Sequence, residues 1–182
     1  MKVSLDISAP SPLWRGLLRA RAIARETIAA AVAESGAVSS DGTELSLCLA
    51  DDAALRALNA RWRGIDKPTN VLSFPAAVDA VADRVDRAPK DVRKGAHLTT
   101  GHGARLQLGD IALAYETLAR EAEDLGVPLA DHYRHLLAHG FLHLIGYDHE
   151  TDEEAERMEA LETRIMARLG AADPYARAVV DG

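Results

Sequence analysis

A single cysteine, Cys48, stands among the 182 residues, so no disulfide can close within the chain and no thiolate pair is present to hold a structural metal. Cys48 itself falls inside an apolar stretch, where a buried apolar role suits it. Long hydrophobic runs are missing too, and none reaches the length that spans a bilayer. The N-terminus alternates Val3, Leu5 and Ile7 with polar residues, the pattern of a strand and not of a signal peptide. These absences point to a cytoplasmic protein with no membrane partner. An excess of positive charge is also lacking. The formal net charge is -7, which weighs against broad electrostatic binding of a nucleic-acid backbone. The acidity is uneven, however: residues 1–70 carry nine basic and eight acidic groups, residues 136–182 four and ten. A local basic cleft remains compatible with that distribution.

There is no internal repeat, and 48% hydrophobic residues suffice for one core, so a single domain over 1–170 is expected, with 171–182 as a C-terminal tail. The predicted elements make an α/β (α+β) fold, a small mixed sheet of about four strands packed with about five helices. After the first strand, Ser11 and Pro12 give a helix-start signal. Leu13, Leu17, Ala20, Ala24, Ile28 and Ala31 then follow at helical spacing until Gly36, predicting one continuous helix. Residues 44–50 alternate as a strand. Asp51 or Asp52 can cap a helix carrying Leu55, Leu58 and Trp62, ended by Gly64. Val71, Leu72 and Phe74 suit a short strand closed by Pro75. Residues 76–105 lack periodicity and read as a mobile surface loop. A strand over 106–114 and a helix over 116–125 precede two closing helices. The last has a capping box, Thr151 with Glu154, and a stripe of Met158, Leu161, Ile165 and Leu169 up to Gly170.

The chemistry concentrates on the helix between Pro128 and Gly146. Tyr133, Leu136, Leu137, Gly140, Phe141 and Leu144 form its core stripe. At about 100° per residue, His132, His135, His139 and His143 fall within a sector of roughly 80° beside that stripe. Four residues of separation stack His139 and His143 one turn apart, close enough for both rings to reach one ion at the ~2.0–2.1 Å of a Zn–N bond. Gly146 can turn the chain in the left-handed conformation and return His149 toward the pair. His139, His143 and His149 are therefore the candidate ligands of one metal ion, Zn2+. Three neutral imidazoles leave an open position at which water can approach a pKa near ~7, the setting for hydrolysis. His132 and His135 are read as hydrogen-bonded, half-buried side chains that any helix edge can carry, with support of the metal ligands or a place in the cleft as the alternative.

The ligand spacing equals that of H-E-x-x-H-x-x-G-x-x-H zinc proteases, but Gly140 stands where their general-base glutamate belongs. Peptide hydrolysis by that mechanism would lack its proton acceptor.

The run His139-Gly140-Phe141-Leu142-His143-Leu144-Ile145-Gly146-Tyr147-Asp148-His149 closely resembles the H-G-x-L-H-L-x-G-Y-D-H signature of the YbeY family of bacterial endoribonucleases. The stretch from Asn59 through Arg63 and Thr69-Asn70-Val71-Leu72-Ser73-Phe74-Pro75 resembles a second block of that family, and Leu108-Gly109-Asp110-Ile111 a third, in the same order. The likeness covers roughly residues 45–75 and 106–170; residues 76–105 are longer and more polar than the family's usual link. It implies a zinc-dependent enzyme that cuts single-stranded RNA in ribosomal RNA maturation at the 16S 3′ end and in ribosome quality control. RNA, ribosomal RNA and the ribosome are then its partners, and DNA is not expected. It also implies His139, His143 and His149 as metal ligands and Arg63 as a functional residue, whose guanidinium suits a phosphate whose charge grows in the transition state. Asp110 is either a carboxylate supporting the site or an ordinary strand-end acid. Two other readings stay open at this level: a metalloprotease-like hydrolase, and a ribosome-binding factor with a structural metal.

Overall fold

A computed structural model describes residues 3–37, 43–76 and 106–176. In chain order the elements are β1 (Val3–Ser8), a 3-10 turn (Pro12–Gly16), α1 (Ala20–Ser35), β2 (Thr43–Ala50), α2 (Asp52–Arg63) and β3 (Val71–Pro75). They are followed by β4 (Leu106–Ala114), α3 (Tyr115–Leu125), α4 (Leu129–Leu144) and α5 (Asp152–Arg168). The four strands form one sheet in the order β1-β2-β4-β3, with β1, β2 and β4 parallel and β3 antiparallel on the edge. Pro75 ends the edge strand, where its missing N–H costs no central ladder bond.

Alternation along the strands decides the two faces. Leu5 and Ile7 lie beside Leu45 and Leu47, and Leu47 and Leu49 beside Ile111 and Leu113. These side chains make one apolar layer on which α1 and α4 pack, with Tyr133, Leu137, Phe141 and Leu142 of α4 fully buried against it. The opposite face presents Ala50, Leu72, Ala112 and Ala114, covered by Leu55 and Leu58 of α2. α5 lies outside α1 and α4, burying Met158, Leu161 and Ile165. Its start is the expected capping box, with the Thr151 hydroxyl accepting from the Glu154 N–H and the Glu154 carboxylate accepting from the Thr151 N–H.

The fold class, the four strands and five helices agree with the sequence reading; the continuous helix from Ser11 to Gly36 does not. Ser11 caps only the 3-10 turn, and Arg19 at φ 65° breaks the chain before α1 begins. Trp14 explains the break. Its indole Nε1–H donates to the Ala50 carbonyl at 2.7 Å, and the ring packs edge-on to Tyr115 at 5.4 Å, a placement that turns Leu13 and Leu18 out to solvent. The α2 stripe also departs from expectation at its end: Leu55 is buried, but Trp62 is 61% exposed, with the Arg61 guanidinium over its ring. The expected loop over 76–105 lies outside the described residues apart from Ala76. No helix among the described residues is long and apolar enough to cross a membrane.

Candidate metal centre

Gly140 lets α4 lie close to the sheet. A Cβ there would stand 2.9 Å from Ser73 Oγ and 3.3 Å from methyls of Ile111 and Val71, and Ser73 Oγ donates to the Gly140 carbonyl at 3.1 Å. The position that carries the general base in the protease pattern therefore faces β3 and β4, packed against side chains. Rotated about 100° from it, His139 looks away from the sheet.

The helix closes with a Schellman turn: the Tyr147 N–H donates to the Leu142 carbonyl at 3.0 Å and the Gly146 N–H to the His143 carbonyl at 3.1 Å. Gly146 takes φ 90°, a region that a side chain would strain. The reversed chain is held by the Asp148 carboxylate, which accepts from the His149 N–H at 2.9 Å. It delivers His149 to the pair on α4. One ring nitrogen from each of His139, His143 and His149 lies within 4.8 Å of the others. The Nε2 atoms of His139 and His143 are 3.0 Å apart. Two Zn–N bonds meeting at a tetrahedral angle separate their nitrogens by about 3.3 Å, so this donor set fits a single small cation. His139 and His143 are half-buried and His149 is exposed, leaving one side of the cluster open to solvent. Burial, followed by the neighbouring His139 and His149, lowers the pKa of His143 and favours the neutral ring a metal requires.

Behind the trio lies a group that the sequence analysis did not single out. Glu162 of α5 is fully buried, and its carboxylate receives His139 Nδ1 at 2.8 Å, His135 Nε2 at 3.2 Å and the Tyr175 hydroxyl. Burial alone would push this carboxyl up; hydrogen bonds from His135 and His139 outweigh it and hold the group down at about 2. The available signal was an acid beside Leu161 and four residues from Met158, on the buried side of α5. His132 behaves as expected of a structural histidine: it is buried, with Nε2 at 2.8 Å from Glu121, which also accepts from Asn70.

Arg63 ends α2, exposed, and its side chain makes no hydrogen bond or ion pair among the described residues. It does not join the histidine cluster through any direct contact described. Asp110 stands away from α4, because its neighbour Ile111 points at Gly140 and alternate strand residues face opposite ways. It lines a cavity of about 670 Å³ with Ser46, Cys48, Trp62 and Phe74. Cys48 is accordingly half-buried in that wall, where the sequence suggested full burial.

An α+β domain with an open cluster of three imidazoles at a helix end defines the class, proteins able to hold one metal ion in a solvent-reachable site. The family model for Endoribonuclease YbeY matches residues 17–170. An Endoribonuclease YbeY of Rhodopseudomonas palustris strain BisA53 is 51% identical over 90% of this chain and 84% of its own length. One from Nitrobacter hamburgensis is 52% identical over 94% of this chain and 81% of its own. A Thermotoga maritima protein with a solved solution structure is 18% identical, covering 93% of this chain and 97% of that one, with a TM-score of 0.48. The chain belongs to the YbeY endoribonuclease family.

Proposed function

We propose that this protein is a zinc-dependent endoribonuclease that cuts single-stranded RNA in the cytoplasm during ribosomal RNA maturation, with the ribosome as its working partner. The observation that carries the reading is the convergence of His139, His143 and His149 in a chain of this family. These three side chains hold the ion, and Arg63 binds the phosphate. Zinc, when bound there, supplies a Lewis acid beside the scissile phosphodiester. Three neutral imidazoles leave its charge uncompensated, which suits a substrate that is itself an anion. Arg63 adds a guanidinium with no competing carboxylate among the described residues, able to donate two parallel bonds to phosphate oxygens.

Gly140 offers no carboxylate base, and the 2′-hydroxyl of RNA provides a nucleophile already in place. The peptide-hydrolase reading weakens further because the Gly140 position faces β3 and β4. The test joins metal content to cleavage of single-stranded RNA for the wild type, His143→Ala and Arg63→Ala. His143→Ala is expected to lose metal and activity, Arg63→Ala activity alone. Cutting at the wild-type rate by Arg63→Ala would end the arginine assignment, and normal cutting by metal-free protein would end the mechanism. A 2′,3′-cyclic phosphate end group marks attack by the 2′-hydroxyl; a product without it at the earliest times marks water.

A further inference from the structure

Glu162 is the one fully buried carboxylate among the described residues. Removing an ionised carboxylate from water is costly unless its lone pairs are filled. Here they are filled by three side chains from two directions. His139 and His135 come from α4, and Tyr175 from the segment after α5. That segment is a built turn. The Asp173 carboxylate accepts from the Tyr175 N–H at 3.0 Å and from Thr163 Oγ1 at 3.1 Å, and the Tyr175 ring stands edge-on to His135 with centroids 5.6 Å apart.

The direction of these bonds matters. His139 turns Nε2 toward His143 and Nδ1 toward Glu162. An imidazole has one proton to place when neutral, and a carboxylate on Nδ1 keeps that proton there and leaves Nε2 with its lone pair. Resting on the metal-site reading above, we propose that Glu162, braced by Tyr175, is the positioning residue that sets the tautomer and ring angle of His139. The 171–176 segment is thus a working part of the metal centre, where the sequence suggested a tail.

Glutamine at 162 keeps the shape but cannot serve three donors, because its amide N–H₂ must face one of them. Zinc affinity is measured by chelator competition, and the ligand field by the visible spectrum of the cobalt-loaded protein, for wild type, Glu162→Gln and Tyr175→Phe. Glu162→Gln is expected to bind zinc roughly 10–100-fold more weakly, with an altered cobalt spectrum. Tyr175→Phe should weaken binding less, by roughly threefold to tenfold, because it acts through Glu162. Should Glu162→Gln fail to fold, Tyr175→Phe, which keeps its ring, decides by the same two readouts. Wild-type affinity and an unchanged spectrum in the folded variants would overturn the positioning role while leaving the metal site intact. A wild type that takes up neither ion, or keeps its affinity after His143→Ala, would instead overturn the site itself.

Discussion

Substituting Gly140→Glu restores the spelling of a zinc protease and so separates a sequence pattern from the packing that underlies it. The Cβ alone would meet Ser73 Oγ at 2.9 Å and the Ile111 and Val71 methyls at 3.3 Å, and the rest of the side chain would have to pass between α4 and the sheet. Overpacking of this kind costs about 1–3 kcal/mol. An unpaired carboxylate in that layer adds several kcal/mol more. Against this stands a helix-propensity gain of about 0.5–1 kcal/mol over glycine. The net expectation is a loss of about 3 kcal/mol or more, or a fall in Tm of roughly 6–12 °C for a domain of this size. Urea unfolding with Gly140→Ala alongside makes the measurement specific. Alanine should stay within about 1 kcal/mol of wild type, since its helix gain offsets the small displacement of Ser73. A Gly140→Glu protein as stable as wild type, or one that hydrolyses peptides, would refute the placement of this helix face.

Trp14→Phe should lower stability by about 1–3 kcal/mol, because the Ala50 carbonyl loses its 2.7 Å indole donor in a buried place. Urea titration would show this as a shifted midpoint with an unchanged slope; no shift would mean that the indole bond does not hold the 3-10 turn to the sheet. Acid should act through Glu162. The unfolded side chain takes up its proton near the ordinary 4.5 and the folded one only near about 2, so the unfolded state binds more protons between those values. The stability it contributes is present above pH 4.5 and is lost as pH falls toward 2. The difference between wild type and Glu162→Gln, followed by urea unfolding of the metal-free proteins, should shrink across that window; a constant difference would exclude the ionised carboxylate as its source.

Much of the site could be read along the chain because it is local. A four-residue interval on a helix stacks His139 over His143 whatever surrounds them, and a glycine at position 146 permits the turn that returns His149. The strands were legible for the same reason: period-two alternation such as Leu45, Leu47 and Leu49 is a property of the strand itself. What failed depended on contacts between distant residues. Position 11 carries a sound helix-start signal, yet the chain breaks at Arg19 because Trp14 bonds to a carbonyl 36 residues away. Glu162 looks like a charge misplaced in an apolar stripe until α5 sets it against His139, 23 residues earlier, and the chain returns with Tyr175. By itself, then, the sequence determined the three imidazoles and the elements that carry them, because spacing within a turn is dictated by backbone geometry. The tertiary structure decided which nitrogen of His139 meets Glu162 and which way Gly140 faces, because both depend on which side chains separate elements bring within a few ångströms of each other.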